Sequence, residues 1–254
     1  MLEAHNGLSS RIVEQSNFDG IWVSSLTESA SKGLPDNEIT SGEERLRTIR
    51  EIRRASSKPI IVDWDTGGQV EHFTFWLKEL ERAGVSAVVI EDKSFPKRNS
   101  LLKGDKLHIL EDVDKFSEKI KRGKEAVEDM MVIARLESLI AKKSMYEALI
   151  RAEAFLKAGA DGIVIHSKSE VSAREVMEFA EKYKKEFSQP LVAIPTTYDL
   201  PTEHPFDIVI YANHLLRASL KAMKDFVETF DKNKLAKVED IFKIIGYEDR
   251  STKQ

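Results

Sequence analysis

The sequence predicts a single (β/α)8 barrel of the TIM type. Short, almost continuously apolar runs alternate with amphipathic stretches of helical period along the whole chain. Runs apolar at nearly every position belong to strands covered on both faces, as in a parallel sheet wrapped by helices. The length of 254 residues with 41% apolar content matches the usual size of such a barrel.

Taken in order, the chain opens on Leu2-Glu3-Ala4-His5-Asn6-Gly7, which reads as the end of a truncated first strand with its turn. β-Branched and apolar runs then predict strands over 20–24, 59–63, 86–91, 131–135, 162–166, 191–195 and 207–211. Helical periodicity predicts helices over 42–54, 70–83, 110–124, 144–157, 172–187 and 215–230. Gly20, Gly84 and Gly159 stand between a helical stretch and the next strand, the position of a helix C-cap. The stretch 27–38, with Gly33-Leu34-Pro35-Asp36-Asn37, reads as a long polar connection at the barrel's functional end, either a lid or a solvated connector. The stretch 215–247 is long for a last barrel helix and contains a second apolar segment, 238–245. Residues 1–254 therefore read as one domain with a helical extension over about 213–247.

Composition excludes several classes. The net charge of −4, with acids and bases mixed, gives no footprint for nucleic acid or an anionic membrane. No apolar run is long enough to span a bilayer, and the first residues lack the basic and apolar regions of a signal peptide, so a cytoplasmic protein is expected. Cysteine is absent, which removes disulfides, thiolate metal sites and a thiol nucleophile.

Barrel chemistry sits at the C-terminal ends of the strands. The polar residues there are Trp22 and Ser24, Asp63 and Asp65, Glu91, Arg135, His166 and Ser167, Thr196, and Asn213. Asp63, Asp65 and Glu91 close consecutive strands, and three crowded carboxylates need neutralising. A hard divalent cation such as Mg2+, held by oxygen ligands, meets that need. The competing reading makes the two aspartates caps of the following helix. Arg135 and His166, with Lys97 and Asn99 on the loop after the fourth strand, offer donors to a small polyanion. Equally, Arg135 has Glu137 close by as a structural ion-pair partner. Trp22 could simply fill the top layer of the barrel, whereas the N–H groups of Ser24-Ser25-Leu26 could act as oxyanion donors.

These residues carry a resemblance. Glu3-Ala4-His5-Asn6-Gly7-Leu8-Ser9, Phe18-Asp19-Gly20-Ile21-Trp22, Asp63-Trp64-Asp65-Thr66-Gly67, Glu91-Asp92-Lys93 through Asn99-Ser100, and the segment from Ala212 to Ser219 resemble the phosphoenolpyruvate mutase family of the isocitrate lyase and phosphoenolpyruvate mutase superfamily. The Glu-Asp-Lys…Asn-Ser segment is specific to the mutase branch. Superfamily lyases carry a catalytic cysteine motif in that loop.

The resemblance implies an Mg2+-dependent isomerase that interconverts phosphoenolpyruvate and phosphonopyruvate, the C–P bond-forming entry to phosphonate biosynthesis. By motif, Asp65 would be the direct metal ligand, with Asp63 and Glu91 supporting it through water. Trp22, Ser24, Ser25, Leu26 and Ser167 would surround the pyruvate moiety, and Arg135 and His166 would hold the phosphoryl group and the pyruvate oxygen. Lys97 and Asn99 would close over the site, and Asp36 would act as nucleophile or as a group steadying the phosphoryl in transit. The resemblance also implies a homo-oligomer, dimer or tetramer, with the last helix exchanged between subunits, and a downstream phosphonopyruvate decarboxylase. A phosphonopyruvate hydrolase is the alternative, and Asn99 favours the mutase. A carbon–carbon lyase or a non-catalytic barrel fits less well. Two positions depart from the family, which commonly has Gly where Ser25 stands and a smaller residue where Trp64 stands.

Overall fold

The computed structural model describes residues 1–102 and 108–247. Among them, β1 (Leu2–Glu3), β2 (Ile21–Val23), β3 (Ile60–Asp63), β4 (Ala87–Glu91), β5 (Met131–Leu136), β6 (Gly162–Ile165), β7 (Leu191–Ala193) and β8 (Ile208–Val209) form one parallel sheet in sequence order. Although β1 has only two residues, the sheet closes. Leu2 bridges Tyr211 in parallel, Glu3 N–H donates to the Tyr211 carbonyl at 3.1 Å, and Tyr211 N–H donates to the Met1 carbonyl at 3.1 Å. The expected (β/α)8 barrel is therefore present, short first strand included.

Side-chain alternation along the strands divides the apolar residues into two sets. Trp22, Ile61, Ala87, Val89, Ile133, Val164, Val192, Ile194 and Ile210 fill the barrel interior. Their neighbours Ile21, Val23, Ile60, Val62, Val88, Ile90, Val132 and Ala134 face outward and pack under the helices. Inward parity continued past each apolar run reaches Asp63, Glu91, Arg135 and His166, so the pleat that builds the interior also points these four into the mouth. Trp64 has the opposite parity and is buried in the outer layer, 6.1 Å from Trp76 between ring centroids.

The helices follow the predicted periods closely: α3 (Gly42–Ala55), α4 (Val70–Arg82), α5 (Val113–Ala126), α6 (Met145–Lys157), α7 (Arg174–Glu186) and α8 (His214–Thr229). Helix α5 starts three residues later than the 110–124 expectation, because the Asp112 side chain caps the N–H groups of Asp114 and Lys115. Two helices were not expected, α1 (Gly7–Glu14) and α2 (Ser25–Ser31). Helix α1 is stabilised by a reciprocal capping box between Asn6 and Ser9, and both lie in stretches rich in small polar residues that dilute the apolar period. The long connection thus begins with a helical turn and narrows to about residues 32–41.

Gly84 and Gly159 cap α4 and α6 in the left-handed region, at φ 81° and 103°. Gly20 is no C-cap. A side chain there would come within 2.9 Å of the Pro59 carbonyl, so close strand approach explains this glycine.

No helix lies between β7 and β8, and α8 buries none of its residues. Beyond it, α9 (Val238–Ile245) forms over the second apolar segment. The last seven residues of the single-domain expectation lie outside the described residues. No described helix is long and apolar enough to cross a membrane.

Candidate active site

The barrel mouth holds a small pocket, partly open to solvent. Trp22, Ser24, Ser25, Leu26, Asp63, Arg135 and His166 line it from the strand ends and the start of α2, with Asp36, Lys97 and Asn99 from two loops. Thr196 and Asn213, also picked out as strand-end residues, complete the far wall. Asp65 and Glu91 stand immediately behind this surface, each buried and each paired to a lining cation.

Lys97 organises one half of the site. Its ammonium lies 2.6 Å from Asp65 Oδ1 and 3.1 Å from Asp36 Oδ1, and it donates to Ser25 Oγ at 2.8 Å. Ser25 Oγ in turn donates to Asp63 Oδ2 at 3.0 Å. Burial alone would depress the lysine's pKa, but the carboxylates of Asp65, Glu91, Asp63 and Asp36 outweigh it and hold Lys97 well above its ordinary value. Burial likewise opposes the ionised form of Asp65, yet Lys97 and Arg45 pull its pKa below the usual carboxylate range.

Arg135 organises the other half. Its Nε donates to Glu137 Oε1 at 2.6 Å, and its Nη2 lies 2.7 Å from His166 Nδ1 and 3.5 Å from Glu91 Oε2. The same guanidinium is 3.8 Å from Asp63 through Nη1. His166 Nδ1 is also 2.8 Å from Glu137 Oε1. Burial, reinforced by the Arg135 charge, pushes the imidazole down to about 4, so His166 is neutral at ordinary pH. Burial raises Glu91 to about 7 despite Lys93, Lys97 and Arg135. The ion pair with Glu137 was one of two readings of Arg135. It is present, and the same guanidinium also faces the pocket.

Asp63, Asp65 and Glu91, the acids whose crowding suggested a metal, do lie together at the mouth around Lys97. Protein cations stand among the three acids, and no group of three acidic or imidazole side chains among the described residues converges on one point. The helix-cap reading of the two aspartates fails. Gln69 is the N-cap of α4, while Asp63 Oδ1 accepts the Asp65 N–H at 3.2 Å within the turn.

Two loops clasp over the mouth. Asn99 donates from its amide to Asp36 Oδ2 at 2.6 Å, parallel to the Lys97–Asp36 ion pair. Glu38 extends the clasp, accepting the Lys97 N–H at 2.8 Å and both the N–H and the hydroxyl of Thr66 at 3.0 and 2.8 Å. The loop after α2, the loop after β3 and the loop after β4 are thereby tied together. Ser167 is the one expected site residue that the structure turns elsewhere. Its hydroxyl donates to Glu175 at the start of α7, and it is absent from the pocket wall.

Sequence reasoning assigns Lys93, Arg45 and Glu38 no site role and names Glu137 only as an ion-pair partner of Arg135. Lys93 donates to Ser100 Oγ at 2.5 Å and pairs with Glu137 Oε2 at 2.9 Å, so both support Arg135 and His166 from below. Glu137 lies two residues beyond Arg135 on the same inward parity, a signal that could have found it. Arg45 sits on an outer helix, where nothing in the local pattern marks it.

Comparison with known proteins agrees with this geometry. The model of the phosphoenolpyruvate phosphomutase family matches residues 1–230. The phosphoenolpyruvate phosphomutase of Tetrahymena pyriformis is 36% identical over 265 residues, covering 98% of this chain and 87% of that protein. The crystal structure of the phosphoenolpyruvate phosphomutase from Streptomyces platensis subsp. rosaceus superposes with a TM-score of 0.90 at 38% identity, covering 96% of this chain and 89% of the other. A phosphonopyruvate hydrolase solved with oxalate and Mg2+ superposes at 0.87 with 34% identity over the same shares. A family match over nearly the whole barrel, with these inward-facing strand ends, shows that the chain belongs to the phosphoenolpyruvate phosphomutase family.

Proposed function

We propose that the protein is a phosphoenolpyruvate mutase that moves a phosphoryl group between the enol oxygen and C3 of pyruvate, interconverting phosphoenolpyruvate and phosphonopyruvate. The observation that carries this reading is the clasp of Asn99 and Lys97 on Asp36 over a pocket floored by Arg135 and neutral His166. A small pocket with Arg135 at its base and Lys97 in a loop clasp across its mouth suits a transfer in which the phosphoryl must reach a held enolate before water does.

In the cleavage direction the C–P bond breaks, its electron pair passes to pyruvate as the enolate, and the phosphoryl fragment stays against the cations. Arg135 and Lys97 stabilise its equatorial oxygens. Neutral His166 can hold an oxygen by donating a ring N–H, and it lacks the acidic imidazolium proton that would quench the enolate. The first N–H groups of α2, which Ser24 does not cap with its side chain, face the pyruvate oxygens. Rotation of the held enolate then presents oxygen in place of carbon, and the new O–P bond forms with no change in protonation. Trp22, whose indole is buried under the pocket, limits that rotation.

A divalent cation fits the donor set in kind. Glu91 Oε1 is buried without a hydrogen-bond partner, Asp65 Oδ1 meets only the Lys97 ammonium, and all available donors are hard oxygens. Asp65, with Asp63 and Glu91 behind it, would hold Mg2+, which supplies charge stabilisation to the enolate oxygen when bound. Phosphorus NMR of the purified protein with phosphonopyruvate and Mg2+ tests the assignment. Phosphoenolpyruvate supports the mutase, inorganic phosphate with pyruvate would mark a hydrolase, and unchanged substrate would exclude both.

The proposal extends to a homo-oligomer. No helix lies between β7 and β8, and α8 and α9 expose Leu220, Met223, Val227, Val238, Ile241 and Ile245. A second copy burying these faces accounts for both features. Light scattering of the purified chain reads the oligomer directly, and a monomer at micromolar concentration would refute it.

A further inference from the structure

Arg45 lies on α3, outside the barrel, yet its guanidinium reaches Asp65, which stands behind the surface of the candidate active site. Nη1 donates to Asp65 Oδ2 at 2.6 Å, Nη2 donates to the Asp63 carbonyl, and Nε donates to Glu28 Oε2 at 3.2 Å. The guanidinium carbon lies 4.2 Å from the Trp64 ring centroid, stacked over its face. Arg45, Glu28, Trp64 and Asp65 are all at least nine-tenths buried. A surface ion pair would be worth little, but here four buried groups have been committed to one guanidinium.

The backbone at Asp65 explains what that guanidinium does. Asp65 adopts a left-handed φ of 53°, and its carbonyl accepts the Glu91 N–H at 2.7 Å, which pins the main chain to β4. That leaves the carboxylate torsion as the remaining freedom. With Oδ2 tied to Arg45, Oδ1 is turned toward Lys97, which itself lines the pocket.

We propose that Arg45 is a positioning residue that selects which oxygen Asp65 presents to the active site, and that Trp64 is the platform fixing the plane of its fork. The geometry uses what lysine lacks, since two donors in one rigid plane engage the Asp65 carboxylate and the Asp63 carbonyl together. It also accounts for a bulky tryptophan where the family commonly has a smaller residue. Only the catalytic consequence rests on the proposed mutase reading; the orientation of Asp65 does not.

The test compares Arg45→Lys with Trp64→Leu in the full-length protein. Arg45→Lys keeps the charge and loses the fork. A misaligned catalytic carboxylate should lower kcat by up to about 100-fold while KM for phosphonopyruvate stays within about threefold. A crystal structure of the variant should show Asp65 rotated, with Oδ1 no longer facing Lys97. Trp64→Leu keeps every charge and should lower kcat about tenfold with the same unchanged KM, loosening the fork without removing it. This variant carries the test if Arg45→Lys does not fold. Wild-type kcat in R45K, or an Asp65 carboxylate unmoved in its crystal structure, would overturn the proposal, as would wild-type kcat in W64L. A wild-type protein inactive on phosphonopyruvate would remove the mutase reading instead, and the orientation of Asp65 in R45K would still decide the positioning role.

Discussion

Replacing Asn99 by Ala removes the amide that donates to Asp36 Oδ2 at 2.6 Å and leaves the Lys97–Asp36 pair in place. A hydrogen bond to a charged acceptor contributes about 1.5–3 kcal/mol, which corresponds to a shift of about 10- to 140-fold in the opening equilibrium of the clasp. Asn99 is only partly buried, so the lower end, about tenfold, is the expected value. Hydrogen exchange reads this without reference to catalysis. The Leu101 amide is a poor reporter because it donates to Asn99 Oδ1 at 2.9 Å and loses its own acceptor. The Lys97 amide is the informative one. It donates to Glu38 Oε2, a bond the substitution does not touch, so faster exchange there means that the loops separate as a unit. With phosphonopyruvate, the same variant should release a larger share of its product as inorganic phosphate, measured by phosphorus NMR, because an opened roof admits water to the phosphoryl fragment. Unchanged exchange at Lys97 together with an unchanged phosphate share would refute the roof as the barrier to water.

Asp65→Asn keeps shape and removes the charge shared by Arg45 and Lys97. It should abolish turnover and Mg2+ dependence together, and retained Mg2+-dependent activity would reject Asp65 as the ligand. Ser25→Ala deletes the hydroxyl joining Lys97 to Asp63 and should destabilise the protein by about 1–3 kcal/mol in urea denaturation, whereas no change would mean the bridge contributes nothing. His166 has a folded pKa of about 4 against an ordinary 6.5, so the unfolded chain binds the proton first. Stability should therefore fall as pH drops from about 6.5 to about 4, by up to about 3 kcal/mol from this residue, and no further below that. Denaturation series for wild type and His166→Asn should show the smaller slope in the variant, and identical slopes would contradict a buried neutral imidazole.

The architecture could be read from the sequence because each strand is short, bounded and apolar on both faces. The period of two also carries Asp63, Glu91, Arg135 and His166 into the mouth without further information. Local signals failed where stability is local and polar. The Asn6–Ser9 capping box makes a helix from a segment with little apolar period. Long-range satisfaction failed similarly. Nothing near Ser167 announces that Glu175 will take its hydroxyl, and nothing near Arg45 announces Asp65, twenty residues away on another element. The cations beside the strand-end acids were equally hidden: Lys97 arrives from a loop, Arg45 from a helix and Arg135 from a neighbouring strand, and only the folded positions bring them together.

The seam between β1 and β8 has a consequence for how the molecule forms. It joins Met1–Glu3 to Tyr211, so the contacts that make the sheet a cylinder are among the most distant in the chain. A growing chain can pair β2 through β7 in succession as each neighbour emerges, but the first edge must wait for the last strand. Until then the nascent protein is an open sheet with two bare edges, one of them only two residues wide. Closure therefore also takes both edges out of reach of a stray strand.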